Sequence, residues 1–154
     1  MPFHGTGFIT VDKYLIRSQM SPEFTVGVDT RRKDLDYKLL RTLTEQWRQV
    51  APCYFGDYYP LTAYSLQQTA WMAWQFDLPE KGEGVVQAFR RAESVDAAAR
   101  FTLRGLDPAA TYVLTDLDTG ESQTLAGREL LDNGLAVAIA EQPGSAVIVY
   151  KKAK

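Results

Sequence analysis

Between residues 35 and 50, apolar side chains fall at positions 37, 40, 43, 47 and 50, the three-and-four spacing that turns one side of an α-helix toward a core. The spacing predicts a helix over 35–50. Asp34 or Asp36 is placed to accept from its free N-terminal N–H groups, and Pro52 ends it because proline has no N–H to donate. Upstream, TVDKYLIRSQM puts Val11, Leu15 and Ile16 on one side behind Thr10 or Asp12, which predicts a short capped helix. Between the two, FTVGVD (24–29) alternates aromatic or branched residues with small or polar ones and predicts a short strand. A strand followed by a helix is half of a βα repeat.

Beyond Pro52 the helical period stops. Short alternating segments recur at intervals of about ten residues with turn residues between them, the pattern of an antiparallel sandwich. Strands are predicted at about 54–60, 70–77, 84–91, 99–105, 111–117, 121–125, 135–139 and 145–151. The stretches LPEKGEG, GLDPAA, DLDTGE, LDNG and EQPGS supply the Gly, Asn and Pro that turns require, and Asp118-Thr119-Gly120 marks a hairpin. The expected fold is mainly β, an antiparallel Greek-key β-sandwich over 52–154 preceded by an α-helical and βα segment over 1–51.

Composition narrows the chemistry. With 154 residues, 45% of them hydrophobic and 12% aromatic, the chain can bury a core for one domain with an appended element. A net charge of −2 provides no basic field for a phosphate backbone, which argues against nucleic acid as a partner. The single cysteine, Cys53, leaves no intrachain disulfide and no cysteine pair for zinc, and the single histidine, His4, weakens any metal or Ser-His-Asp proposal. No metal or cofactor is therefore expected. No apolar run approaches the roughly 20 residues that span a bilayer, and MPFHGTGFITVDK lacks a basic region followed by an apolar one. The expectation is a soluble cytoplasmic chain without membrane contact.

Two aromatic clusters stand out. In WMAWQFDLPEKGEGVVQAFRR, strand alternation puts Met72, Trp74 and Phe76 on one side, read as core, with Phe89 joining them and Arg90 and Arg91 closing the strand at the surface. Trp71 lies on the other side, facing neighbouring structure or a sugar ring. In CYFGDYYPLTAYS, Tyr54, Phe55, Tyr58, Tyr59 and Tyr64 surround Asp57; stacking rings beside a carboxylate suit a carbohydrate, while the same rings also suit a sealed junction between helix and sandwich. Asp29 ends the predicted strand, where barrel enzymes place active-site residues, and Arg31 or Arg32 offers it a purely local partner. The candidate substrate-binding residues are thus Asp29, Trp71, Tyr58 and Tyr59. The pairs Asp34/Asp36 and Asp116/Asp118 fit a cap and a turn better than acid/base catalysis. Ser18, Ser21 and Cys53 have no base near them in sequence and no nucleophile elbow, and the GEG and GTG glycines form no phosphate loop.

In combination, DTRRKDLDYKLLRTLTEQWRQVAPCYFGDYYPLTAYS and the WMAWQFDLPEKGEGVVQAFRR that follows it resemble the C-terminal end of family 36 glycoside hydrolases, the bacterial α-galactosidases of melibiase type. GLDPAATYVLTDLDTGE and LAGRELLDNGLAVAIAEQPGSAVIVYK extend the resemblance over nearly the whole chain. The resemblance implies that the long helix is the last of a (β/α)8 catalytic barrel running into the sandwich. Family chemistry is retaining hydrolysis by two carboxylates about 5–5.5 Å apart. This chain has no W-x-K-x-D nucleophile motif and falls short of the roughly 250 residues of a barrel, so no catalytic residue is assigned in it. The implied role is non-catalytic support of the barrel, its expected partner. A carbohydrate-binding module that stacks an α-galactoside or another sugar on Trp71, Tyr58 and Tyr59 is the alternative, and homo-oligomers through exposed apolar faces are a further expectation.

Overall fold

A computed structural model describes residues 10–25, 27–29 and 31–153. His4 and the start of the chain lie outside them.

Helix α1, Lys13–Ser18, begins where the Asp12 carboxylate accepts from the Leu15 N–H at 2.7 Å. Helix α2, Tyr37–Val50, begins where Asp36 accepts from the Leu39 N–H at 2.8 Å, so Asp36 rather than Asp34 is its cap. A 3₁₀ turn, Ala51–Phe55, follows with Pro52 in its first turn. It occupies the first residues of the strand predicted at 54–60.

Eight strands follow: β1 (Asp57–Pro60), β2 (Met72–Leu78), β3 (Glu83–Arg90), β4 (Ala98–Phe101), β5 (Thr111–Asp116), β6 (Ser122–Ala126), β7 (Leu135–Ala138) and β8 (Gly144–Lys152). Each coincides with a predicted segment. A third helix, α3 (Gly127–Asp132), was not foreseen; unlike α1 it has no side-chain cap at its N-terminus to announce it. Gly134, at φ +77°, closes it by donating to the Glu129 carbonyl, and a β-carbon there would lie 2.7 Å from the Phe101 backbone.

Six strands form one sheet in the order β1-β2-β3-β8-β5-β6, and β4 pairs with β7 in a second sheet. All pairings are antiparallel. Because β8 returns between β3 and β5, the sheets are joined by the crossing connections of a Greek-key β-sandwich. Between the sheets lies an apolar core of Val86, Ala88, Phe101, Leu114, Leu130, Leu135 and Ile148.

The opposite face of the large sheet is covered by helices. Ile16 of α1 and Leu43 and Val50 of α2 pack with Val85 and Val147 in a second apolar cluster. This is where the α2 stripe, predicted from its spacing, is buried.

Two expectations are corrected here. Residues 24, 25 and 27–29 form no strand, because no described strand lies beside them to complete a ladder; Phe24 instead meets the Trp47 ring at 5.5 Å. The more buried side of β2 carries Ala73, Gln75 and Asp77, while Met72, Trp74 and Phe76 are half-buried beneath the helices. A strand covered on both faces hides polar residues as well as rings, so alternation alone assigns the wrong side to the deepest core.

Candidate functional site

Gln75 and Asp77 sit between the two sheets at 0% and 3% exposure, and each needs polar partners there. The Gln75 amide donates to the Arg104 carbonyl and to the Tyr150 hydroxyl, both at 2.8 Å, and its carbonyl accepts from the Arg104 N–H at 2.9 Å. The Tyr150 hydroxyl in turn donates to Asp77 at 2.6 Å. Gly84 is the β3 residue between Asp77 on β2 and Tyr150 on β8. A β-carbon on Gly84 would stand 2.2 Å from the Tyr150 oxygen, so glycine is what lets this ring cross one strand to reach the next. Burial raises the Asp77 carboxyl above the ordinary aspartate range, opposed by the Tyr150 hydrogen bond and reinforced by Asp57 and Glu80.

On the helix side the central group is Arg17, fully buried. Its guanidinium holds both carboxylate oxygens of Asp118, donating to Oδ2 at 2.9 Å, and also donates to the Ser145 carbonyl at 2.9 Å and the Gln46 side chain at 2.7 Å. Gln46 passes the link on by donating to the Leu117 carbonyl at 2.8 Å. Lys13 reaches Asp118 at 3.2 Å. Burial pushes the Asp118 carboxyl up, but Arg17 and Lys13 outweigh it and hold the carboxyl below the ordinary range. One residue of the β5–β6 hairpin thus fastens α1 and α2 to the sheet. Sequence reasoning read Asp118 only as a turn residue, since its partner lies 101 positions away. The hairpin itself is as expected, with Gly120 at φ +73° and Asp116 accepting from the Asp118 N–H at 2.7 Å.

Arg90 also differs from expectation. Instead of closing its strand at the surface, it is buried at 7% exposure and donates to the carbonyls of Ser94, Ile139 and Ala140. The irregular segments around 94 and 140 leave these acceptors without ladder partners, and a planar five-donor group satisfies several at once.

The four candidate sugar-binding residues occupy separate places. Asp29 lies in an exposed loop and accepts from Arg31, whose side-chain and backbone hydrogen bonds lower its pKa. Trp71 packs against the inter-sheet core, 5.9 Å from the Phe101 ring, and its indole N–H donates to the Asp96 carbonyl at 3.1 Å. Tyr58 pairs with Phe76 and lies on the helix side, its ring 5.2 Å from that of Phe76 and 56% exposed. Tyr59 pairs with Gln75 and so points to the opposite face. Trp71 shares that face but precedes β2, four residues before Gln75, the partner of Tyr59, a separation of about 13 Å at the rise of an extended chain. No two of these rings form one platform.

Among the described residues, no side chains have the geometry of a nucleophile and its base. The Cys53 thiol is buried and pushed up to about 11 by that burial, which keeps it protonated and unreactive. Among the described residues, no group of three or more His, Cys, Asp or Glu side chains gathers to hold a metal, and no helix is long and apolar enough to cross a membrane. The buried polar networks lie between the sheets, around Arg90 and where the helices meet the sandwich, and what they can do is hold these parts together.

Comparison with known proteins agrees with this architecture. The profile of the glycosyl hydrolase family 36 C-terminal domain matches residues 71–150. Among solved structures, the α-galactosidase AgaA of Geobacillus stearothermophilus, in variants complexed with raffinose or with 1-deoxygalactonojirimycin, is similar at TM-score 0.62 and 22% identity over 82% of this chain. The galactosidase domain of the α-galactosidase-sucrose kinase AgaSK is similar at TM-score 0.54 and 20% identity over 75% of this chain. At those identities the likeness is one of fold. The chain spans 17% and 15% of the respective matched chains. No curated protein sequence matches it.

Proposed function

Since the chain belongs to the glycosyl hydrolase family 36 C-terminal domain, we propose that it is the non-catalytic sandwich of an α-galactosidase-type hydrolase, fastening the terminal helices of a catalytic (β/α)8 barrel and stabilising that barrel. In this reading residues 1–51 contribute the barrel's last elements and 52–154 the sandwich. The observation that carries it is the buried seat for helices on the outer face of the large sheet. Leu43 and Val50 are buried with Val85 and Val147, and Arg17, Gln46 and Asp118 are locked together beside them. Helices held through a shared core and a buried ion pair move with the sheet as one body, which is what a supporting domain must supply.

The test is to produce the barrel encoded with this chain, with and without it, and to measure melting temperature and hydrolysis of a chromogenic α-galactoside. A barrel several degrees less stable without the chain supports the reading. Equal stability overturns it, as does hydrolysis by the isolated chain. The sugar-binding alternative is checked by titrating raffinose into the isolated chain while following tryptophan fluorescence. With Tyr58 and Tyr59 on opposite faces and the Trp71 indole occupied, no saturable change is expected.

A further inference from the structure

The large sheet ends in two edges, β1 and β6, and they differ in what they offer to another strand. Antiparallel ladders alternate between residues bonded to the neighbour and residues whose N–H and C=O point away. On β1, the Leu61 N–H donates to the Ala73 carbonyl, which puts Tyr59 and Asp57 in the bonded set and turns Tyr58 and Pro60 outward. Pro60 has no N–H, so this edge is blunted where a new strand would bond.

On β6, the Gly127 N–H donates to the Ala110 carbonyl and the Asp116 N–H to the Glu121 carbonyl. The register Thr111↔Ala126, Val113↔Thr124 and Thr115↔Ser122 then belongs to the unbonded set. Ser122, Thr124 and Ala126 therefore turn their backbone groups away from β5. The strand SQTLA has no proline and no charge, and four of its five residues are exposed. None of the devices that protect an edge is present on it.

We infer that β6 is an interaction surface for a second copy of this chain, pairing antiparallel with its own counterpart across a twofold axis through Thr124 and joining two six-stranded sheets into one of twelve strands. In this register Thr124 meets Thr124, Gln123 meets Leu125, and Ser122 meets Ala126. No like charges oppose one another along the strand. Just beyond its two ends stand Glu121 and Arg128, both exposed and without an ion pair among the described residues. The same twofold brings Glu121 of each copy toward Arg128 of the other, so the charges complement at both ends. Self-pairing of β1 would offer only the Tyr58 N–H as an outward donor from each copy. A five-residue ladder is a small interface, and the association is correspondingly weak and dependent on concentration.

Sedimentation velocity of the chain over about two decades of concentration, up to about 1 mM, tests this. Wild type is expected to pass reversibly from monomer to dimer. Thr124→Pro removes the outward N–H at the axis without touching a bond to β5, and Thr124→Lys sets two like charges face to face; each is expected to weaken dimerisation at least about tenfold while circular dichroism stays unchanged. Should Thr124→Pro unfold the chain, Thr124→Lys carries the test. Glu121→Arg and Arg128→Glu are each expected to weaken the dimer, and the double variant to restore it. A wild type that stays monomeric throughout overturns the inference. So does a dimer that survives Thr124→Lys unchanged, which would place association elsewhere, for instance at the apolar recess of about 550 Å³ beside Cys53, Val113 and Val149. This inference does not depend on the barrel-supporting role, and neither result for one decides the other.

Discussion

The two faces of the six-stranded sheet are both buried, yet they are held by different physics. The inner face, toward β4 and β7, is packed with aliphatic side chains, and its polar residues Gln75 and Asp77 are satisfied within the sheet and the loop at Arg104. The outer face, toward α1 and α2, has a smaller apolar cluster and depends on the Arg17–Asp118 ion pair to join parts of the chain far apart in sequence. Apolar packing makes the sandwich. On the outer face the Arg17–Asp118 pair adds to the apolar cluster in joining the helices to the sheet.

The largest effect should come from the inner face. Leu135→Ala, at a fully buried position on β7, is expected to cost about 3 kcal/mol in urea denaturation and to lower the stability of the whole chain, since the cavity lies between both sheets. Next comes Asp118→Ala, which strands the Arg17 charge. Because the Asp118 side chain is 30% exposed, the loss is expected below the range for fully buried pairs, at about 2–3 kcal/mol. Hydrogen exchange should distinguish the two faces here, with protection lost in Lys13–Ser18 and Tyr37–Val50 and retained in β3 and β8. Protection lost equally in the strands would show that the faces do not act separately.

Tyr150→Phe removes the hydroxyl that serves both Gln75 and Asp77 and is expected to cost about 1–2 kcal/mol by the same denaturation measurement.

The pH dependence should differ in sign between the faces. Asp118 has a lowered pKa, so its contribution is present above the ordinary value of 3.8 and is lost as pH falls through the lowered value. Asp77 has a raised pKa, so its contribution is complete below 3.8 and is lost as pH rises through the raised value. Relative to wild type, Asp118→Asn should become more destabilising as pH rises from strongly acid conditions past 3.8, and Asp77→Asn less destabilising as pH rises above 3.8. Melting temperatures of both variants across that range check the signs. The smallest effect is expected on neither face: Phe55→Ser, at 78% exposure, should change stability by no more than about 0.5 kcal/mol.

Much of the fold was legible before the structure. The α2 stripe, the Asp36 cap and all eight strands are local patterns, because helix and strand periods and turn chemistry act over a few residues. Residues 24–29 had a strand's alternation, and the described ones among them, 24, 25 and 27–29, form none, since a strand needs a neighbour that local pattern does not supply. Arg90 was placed at the surface because charged residues usually lie there, but the carbonyls it serves come from segments about 5 and 50 positions away. The candidate sugar-binding residues were drawn from rings close in sequence, whereas alternation along β1 sends Tyr58 and Tyr59 to opposite faces.

By itself, the sequence determined where α1, α2, the eight strands and most of their turns lie, because these follow from short-range periodicity and turn chemistry; the family resemblance rests separately on its motifs. Only the tertiary structure decided which face of β2 is deepest, which carboxylate neutralises Arg17, that Gly84 clears a path for Tyr150, and which sheet edge is left without protection. Those outcomes depend on groups brought together from distant positions, where burial removes water and most charges and hydrogen-bonding groups must find partners in the protein.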